Sequence, residues 1–482
     1  MPDSSNLHWR STIPTVSGPT VLIMAAGEGT RMRSSVPKML HPVCGRPMVA
    51  WPVMAARDAG AERVCVIVSP ARDLSSALPE GTEVAVQTHS DGTGGAIRAA
   101  LDVVADAETV IVLNGDHPLV TGRHLEEVFE AHKDSGAAAT VVSVERDDAE
   151  SLGRIVRDEN GDFDRIVETK YPEGIPPEIL AIREVNTNTF VFDAATLADA
   201  IGRITNDNAA GEYYIGDALR LMREDGRRVI AHRVDDLSVN IGVNNRAELA
   251  TVNAVARERI NEAHMLAGVT ITDPAATWID ADVEIQPDTV IEPGTVLRGR
   301  TCVGGSSIVG PHATIIDSAV GSQVTLLYSY VVESEIGDAC SVGPFAYLRP
   351  GTVLAEGAKA GTFVELKNSK IGRGTKVPHL SYIGDADVGD ETNLGAATIT
   401  ANYDGSRKHR TKIGHGVHTS VDTTLVAPVS IGDGAYTGAN SAITEDVPPG
   451  ALGIARPKQD NIEGYADRKA REETEEGDPE DS

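Results

Sequence analysis

Ile285-Gln-Pro-Asp-Thr-Val290, followed at once by Ile291-Glu-Pro-Gly-Thr-Val296, decides the architecture of half of this chain. The same six-residue unit, an aliphatic residue, often Gly next, then two variable residues and a small one, returns as Val342-Gly-Pro-Phe-Ala-Tyr347 and Ile431-Gly-Asp-Gly-Ala-Tyr436, and it runs from Ile279 to Pro448. Six residues make one short parallel strand and its turn. Only a chain that stacks such turns buries an aliphatic residue at every sixth position. The period predicts a parallel β-helix of triangular section.

The rest of the composition agrees. Of 482 residues, 41% are hydrophobic but only 4% aromatic, so the core must be built from Val, Ile, Leu and Ala, as in parallel sheets and hexapeptide helices. Forty-three basic against 71 acidic residues give a formal charge of −28, which opposes generic binding to nucleic acid or to an anionic membrane. Anionic ligands must therefore be held by local basic groups. Cys44, Cys65, Cys302 and Cys340 form no CxxC pair and no disulfide framework, and are expected to be reduced thiols. Residues 1–19 are rich in Ser, Thr and Pro without an apolar run, which predicts a flexible arm rather than a signal peptide or anchor, and a cytoplasmic protein.

After this arm, Val21-Leu-Ile-Met-Ala-Ala26 predicts a buried strand running into a Gly-containing loop, and further strands are expected at 64–68, 84–87, 110–113 and 138–144, with a helix at 48–59. Strands alternating with helices predict a parallel sheet covered on both faces over residues 20–245. Residues 246–266 have helical spacing and predict a helical linker. The β-helix domain is placed at 267–456, with a charged, acidic tail at 457–482 that is expected to be disordered from Asp467 because it buries nothing. Two stretches, Val364 to Ser381 and Thr400 to Thr411, read as interruptions of the hexads and therefore as functional loops on one face of the solenoid.

Met24-Ala-Ala-Gly-Glu-Gly-Thr-Arg-Met32, with Pro37-Lys38 behind it, sets small residues where backbone must approach a ligand and two cations within reach of phosphates. It lacks the sixth-place Gly of the dinucleotide fingerprint and is not a Walker A loop. With it come Gln87, Asp91-Gly-Thr-Gly-Gly95, Leu113-Asn-Gly-Asp116, Gly153-Arg-Ile155, Ile166-Val-Glu168, Val185-Asn-Thr187 and Gly242-Val-Asn244. In order and spacing this set resembles the sugar-phosphate nucleotidyltransferases, most closely the pyrophosphorylase half of the bifunctional enzymes that make UDP-N-acetylglucosamine. The resemblance implies that Met24, Ala25, Ala26 and Gly27 line the UTP site. Ala26, Gly27 and Gln87 would read uracil, with Gly92 and Thr93 beside the base. Arg31 and Lys38 would neutralise the triphosphate, Asp116 and Asn244 would hold Mg²⁺, and Gly153, Glu168 and Asn186 would hold the sugar. In-line attack by a sugar phosphate on the α-phosphorus of UTP needs alignment and charge neutralisation more than a general base.

The solenoid carries a second set: Leu348-Arg-Pro-Gly351, Val364-Glu-Leu-Lys367, His379-Leu-Ser-Tyr382, Asn393-Leu-Gly-Ala396 and Thr400-Ala-Asn-Tyr403. It is similar to the acetyltransferase half of the same bifunctional family, so the likeness runs from Val21 to about Arg456. By that resemblance His379 is the general base that takes a proton from the amine of glucosamine-1-phosphate as it attacks acetyl-CoA, a task suited to imidazole. Arg349 and Lys367 would bind the sugar phosphate, and Tyr382 and Asn393 the sugar. Ala396, Asn402, Tyr403, Val421, Ala439 and Arg456 would line the acetyl-CoA site, while Glu365 would orient His379 or the amine. The family's sites also imply a homotrimer.

Four positions depart from the family pattern. Glu28 stands where a non-acidic residue is common, Gly95 replaces a frequent His, Asn188 a frequent Gly, and Val421 a Ser whose hydroxyl would lie near acetyl-CoA. The expected fold is α/β, a Rossmann-like nucleotidyltransferase domain followed by a left-handed parallel β-helix of hexapeptide repeats. The expected function is acetylation of glucosamine-1-phosphate followed by its coupling with UTP, with Mg²⁺ as cofactor, acetyl-CoA as co-substrate and a product that feeds cell-wall synthesis. The rival readings are a nucleotidyltransferase with a non-catalytic β-helix and a scaffold in which both pockets have decayed.

Overall fold

Val21, Ile23, Ile111 and Leu113 join one apolar cluster, whereas Leu22, Val110 and Val112 join another. These alternate residues of two neighbouring strands point to opposite faces of one sheet, which is why both strands read as unbroken apolar runs. The computed structural model describes residues 18–149, 151–169, 172–207 and 211–475. It divides into two compact units, Met1–Glu262 with Ile279–Asp282, and Ala263–Trp278 with Val283–Ser482. The N-terminal arm expected at 1–19 falls outside the described residues except for its last two.

The sheet of the first unit has the strand order Val229–Arg233, Ala139–Glu145, Glu184–Asp193, Thr109–Asn114, Thr20–Met24, Arg63–Val68 and Glu83–Val86, with the strands Arg154–Arg157 and Phe163–Val167 off this path. It is mixed, not parallel: Glu184–Asp193 runs antiparallel to both of its neighbours. The chain between Glu145 and Glu184 makes an antiparallel pair, Arg154–Arg157 with Phe163–Val167, in place of a helical crossover, and so re-enters the sheet in the opposite sense. The helix Ala50–Asp58 covers one face, and a single helix spans Arg246–Leu266.

In the second unit each strand from Thr270–Ile271 through Lys370–Ile371 pairs in parallel with the third strand beyond it, and most later strands with the second, giving seven-, ten- and nine-stranded sheets that close a triangular prism. This is consistent with a left-handed β-helix. The stack begins at Thr270–Ile271, earlier than the repeat was read, and its last pairing strand is Leu452–Gly453. Ile291, Leu297, Val309, Ile315, Leu326 and Val331 are all wholly buried. The small residue of the hexad is buried as well, and where it carries a hydroxyl it satisfies the turn backbone. Thr289 Oγ1 donates to Gly304 O (3.0 Å), and Ser307 Oγ donates to Gly321 O (3.1 Å) while accepting from Val324 N (3.0 Å). Corner residues adopt left-handed backbone, among them Asp288 (φ 63°), Asp317 (φ 46°) and Asp385 (φ 50°).

Two expectations are corrected. Val364 to Ser381 is no insertion, because its strands Glu365–Lys367, Lys370–Ile371 and Lys376–His379 take their regular places in the three sheets. Leu366 and Ile371 are both buried five residues apart, so one side of the coil is shortened by a residue and the hexad register merely slips. Thr400 to Thr411 is an insertion: between the strands Ile399–Ala401 and Thr411–Ile413 the chain makes a short excursion closed by a Tyr403–Lys408 bridge. The tail expected to be disordered from Asp467 forms a helix, Tyr465–Glu475. Its Ala, Arg, Lys and Glu residues are strong helix formers, so local propensity organises a segment that buries nothing. Residues 476–482 lie outside the described residues.

The four cysteines carry no disulfide, and Cys44, Cys65 and Cys340 are buried. Among the described residues no helix is long and apolar enough to cross a membrane. Replacing one inward aliphatic should expose how much the stack depends on it. Leu326→Ala is expected to lower stability by about 2–5 kcal/mol, read from the denaturant midpoint of the β-sheet circular dichroism signal; a loss below about 1 kcal/mol would contradict the stacked core.

Candidate active sites

Thr20–Met24 and Thr109–Asn114 are adjacent parallel strands, so the loops leaving their carboxyl ends open side by side, where doubly wound sheets hold ligands. The first loop needs glycine at Gly29: its φ is 62°, and a Cβ there would fall 2.6 Å from Lys38 Cβ. Lys38 is thereby buried against the loop, and its Nζ donates to Asp116 Oδ2 (2.5 Å) and Asn244 Oδ1 (3.2 Å). Arg31 Nη2 donates to the same Asn244 oxygen (3.0 Å). Burial disfavours the Asp116 carboxylate, yet the charges of His117 and Lys38 and the Lys38 hydrogen bond outweigh it and hold the carboxyl below its usual range.

Asp116 and Asn244 thus present two oxygens that converge on one positive centre, a donor set that suits a hard cation such as Mg²⁺, which completes its shell with water and phosphate. Among the described residues no group of three or more His, Cys, Asp or Glu side chains is arranged for a metal.

Gln87 is buried beside this loop, and its Nε2 donates to Asp91 Oδ1 (2.8 Å) and Gly92 O (3.1 Å). Gly92 has φ 96°, and a Cβ there would lie 2.6 Å from Tyr213 O. Thr93 Oγ1 accepts from Ile215 N (3.1 Å). Met24 ends its strand, Ala25 N donates to Ile67 O (2.8 Å), and the Gly27 carbonyl accepts from Arg72 Nη1 (3.1 Å). Glu28 is exposed, so its charge is screened by solvent.

Gly153, Glu168 and Asn186 are brought together. Asn186 N donates to Gly153 O (2.9 Å), and a Cβ on Gly153 would lie 3.2 Å from Glu168 Oε1. The Glu168 side chain opens to solvent, but the protein packed about its carboxyl pushes its pKa up by desolvation. The strand bulges between Asn186 and Phe190, with Asn188 at φ 58°. Asn tolerates left-handed backbone, which suits it to this position.

On the β-helix, stacking puts residues of successive coils side by side. Tyr347, Glu365 and Tyr382 share one register column of the ten-stranded sheet. Arg349 Nη1 donates to Glu365 Oε1 (2.8 Å) and its guanidinium lies 5.8 Å from the Tyr347 ring. Glu365, expected to orient His379 or the amine, has one carboxylate oxygen engaged by Arg349. Lys367 Nζ reaches Asp385 Oδ2 (3.4 Å), which also accepts from Asn402 Nδ2 (2.5 Å), and Asn402 Nδ2 lies 3.5 Å from the Tyr382 hydroxyl. Lys408 lies beside Lys367, and this like-charged neighbour pushes its pKa down.

His379 is exposed and ends its strand immediately before the corner at Leu380 (φ 50°), with Tyr382 opening the next strand. Asn393 lies on a different face from Tyr382, in register with Lys376 and His418. Ala396, Val421 and Ala439 form a column at one corner: Asp422 N donates to Ala396 O (2.9 Å), Asn440 N to Val421 O (2.9 Å), and Arg456 Nη1 to Ala439 O (3.2 Å). Tyr403 is exposed and donates from its hydroxyl to Gly405 O (2.6 Å).

The structure adds Asp91, Arg72, Asp385 and Lys408 to the two sites. Lys408 had a visible signal, the basic run Arg407-Lys-His-Arg410 in an acidic chain. Asp385 had none, since Asp recurs at corners with no such partners.

Residues 21–214 match the family model described as a MobA-like NTP transferase domain. A Streptomyces avermitilis protein named Bifunctional protein GlmU is 45% identical over 456 residues, covering 93% of this chain and 94% of the relative. The protein of that name from Mycobacterium tuberculosis (strain ATCC 25177 / H37Ra) is 45% identical over 459 residues, covering 93% and 92%. Identity of 45% over 93% of the chain shows that the chain belongs to the family of bifunctional GlmU proteins.

Proposed function

We propose that this chain acetylates glucosamine-1-phosphate on its β-helix and couples the product with UTP in its first unit, releasing pyrophosphate and giving UDP-N-acetylglucosamine for cell-wall synthesis. The observation that carries this reading is that one chain gathers two separate phosphate-ready clusters: Lys38 and Arg31 on Asp116 and Asn244, and Arg349, Lys367 and Lys408 about Glu365 and Asp385. The relatives are named as bifunctional and match over 93% of the chain, β-helix included, which favours two activities over a single one with a passive solenoid.

In the first site an oxygen of the sugar phosphate forms a bond to the α-phosphorus of UTP as the bond to the β-phosphate oxygen breaks, and pyrophosphate leaves. Arg31 and Lys38 meet the phosphate charge, Gln87 with Ala26, Gly27, Gly92 and Thr93 holds the base, and Gly153, Glu168 and Asn186 hold the sugar. Mg²⁺ on Asp116 and Asn244 supplies further charge neutralisation when bound.

In the second site the sugar amine attacks the thioester carbonyl, His379 takes the amine proton, the C–S bond breaks and coenzyme A leaves as the thiol. Arg349, Lys367 and Lys408 hold the sugar phosphate, Tyr382 and Asn393 the sugar. Ala396, Asn402, Tyr403, Val421, Ala439 and Arg456 line the acetyl-CoA path.

The working form is a homotrimer in the cytoplasm. The trimer is supported by an exposed corner ladder, Tyr328, Phe345, Phe363 and Leu380, whose rings lie 5.7 Å (tilted) and 5.4 Å (stacked) apart and which ends beside His379. Such bulky residues in left-handed backbone, φ 45° to 62°, are strained on their own, and an apolar ladder of this kind suits burial against a second copy.

Asp116→Ala is expected to abolish pyrophosphate release and spare thiol release from acetyl-CoA, and His379→Ala to do the reverse; loss of both activities in either soluble variant would contradict two sites. Chelation of divalent metal should stop pyrophosphate release while leaving thiol release within about twofold of its starting rate, as two independent chemistries require. The double variant Phe345→Glu, Phe363→Glu should sediment as a monomer and lose thiol release, yet release pyrophosphate from ready-made N-acetylglucosamine-1-phosphate and UTP. A trimer with full acetyl transfer would remove the ladder from the interface.

A further inference from the structure

Beside the nucleotide loop a carboxylate has a place that the proposed chemistry does not use. Asp91 Oδ1 (2.8 Å) and the Gly92 carbonyl (3.1 Å) both accept from Gln87 Nε2. Neither partner can donate, so both N–H groups of the amide are committed and its orientation is fixed. Oε1 is the atom left to face a ligand. An unrestrained glutamine could turn and offer either end.

Asp91 stands there because Gly95 has no side chain. A Cβ at Gly95 would fall 1.9 Å from Asp91 Oδ1, the same oxygen that holds Gln87. The Asp91 backbone is tied on both sides, its N–H donating to His89 O (3.0 Å) and its carbonyl accepting from Tyr213 N (2.7 Å).

We infer that Asp91 is a positioning residue that sets base selectivity through Gln87. By holding the amide carbonyl outward it commits the pocket to a base with a ring N–H donor, uracil or thymine, and against cytosine, which presents a lone pair at that ring position. A carbonyl facing an N–H makes a hydrogen bond; facing a lone pair it opposes two acceptors, and a mismatch of this kind discriminates more sharply than a missing contact. The inference rests on the reading of the first site as a uridylyl transfer site with Gln87 at the base.

The test is kcat/KM for UTP and CTP in the wild type, Asp91→Asn, Gly95→Ala and Gln87→Ala. Asp91→Asn keeps the shape but can donate, which lets the Gln87 amide turn. The UTP:CTP ratio is expected to fall about tenfold, as for one charge-assisted hydrogen bond, through a raised KM for UTP with kcat within about twofold. Gly95→Ala should move the ratio the same way by displacing the carboxylate. A merely structural role would depress both nucleotides alike and leave the ratio fixed. If the ratio in Asp91→Asn stays within twofold of wild type while Gln87→Ala lowers it, the inference falls and the site reading stands. If Gln87→Ala also leaves it unchanged, Gln87 is not at the base and the inference falls with that assignment. If the wild type uses no nucleoside triphosphate, the reading of the site itself falls and carries the inference with it. Should Gly95→Ala fail to fold, Asp91→Asn alone decides.

Discussion

Each step of the β-helix must bury one aliphatic side chain and one small residue at its turn, and the rest of the second unit follows from that constraint. Because Ile315, Leu326 and Val331 have one way to point inward, the register of every coil is fixed. Residues about 17 positions apart in sequence are then laid side by side on the prism wall. Arg349 meets Glu365, and Lys367 meets Asp385, without any loop having to find them. The wall is stiff, so charged side chains are held where a phosphate can be gripped with little ordering cost at binding.

The first unit solves the same problem differently. Two parallel strands end side by side and release loops that bring Lys38 against Asp116. One strand then departs from the pattern. Glu184–Asp193 runs backwards and bulges between Asn186 and Phe190, while its pairing with Arg154–Arg157 sets the Asn186 backbone on Gly153. Bulges gather next to functional sites because they re-aim a side chain without ending the sheet. Burial disfavours the Asp116 carboxylate, yet its neighbours, Lys38 foremost in contact with it, hold the carboxyl below its usual range.

Much of this was legible in the sequence, for identifiable reasons. The hexads announced the prism because burial at a fixed period leaves a direct trace, and Lys38, Asp116 and Asn244 could be named from their motifs. The antiparallel strand was not legible, because a strand buried on both faces reads the same in either direction. The supposed interruption at Val364 to Ser381 misled because a one-residue slip breaks the six-residue count while leaving Leu366 and Ile371 buried. The tail helix at Tyr465–Glu475 leaves no trace in a burial pattern, because the propensity of Ala, Arg, Lys and Glu forms it without burial. Asp91 and Asp385 were invisible for a further reason: their partners, Gln87 in one case and Asn402 with Lys367 in the other, meet them only through the fold.

The central claim is that one chain carries two separate chemistries in sequence. The most direct measurement incubates the purified wild-type protein with acetyl-CoA, glucosamine-1-phosphate and Mg²⁺, with and without UTP, and follows free thiol and pyrophosphate independently. The account predicts thiol in both reactions and pyrophosphate only when UTP is present. Pyrophosphate appearing only from ready-made N-acetylglucosamine-1-phosphate, with no thiol under any condition, would contradict it and leave the β-helix as an assembly device.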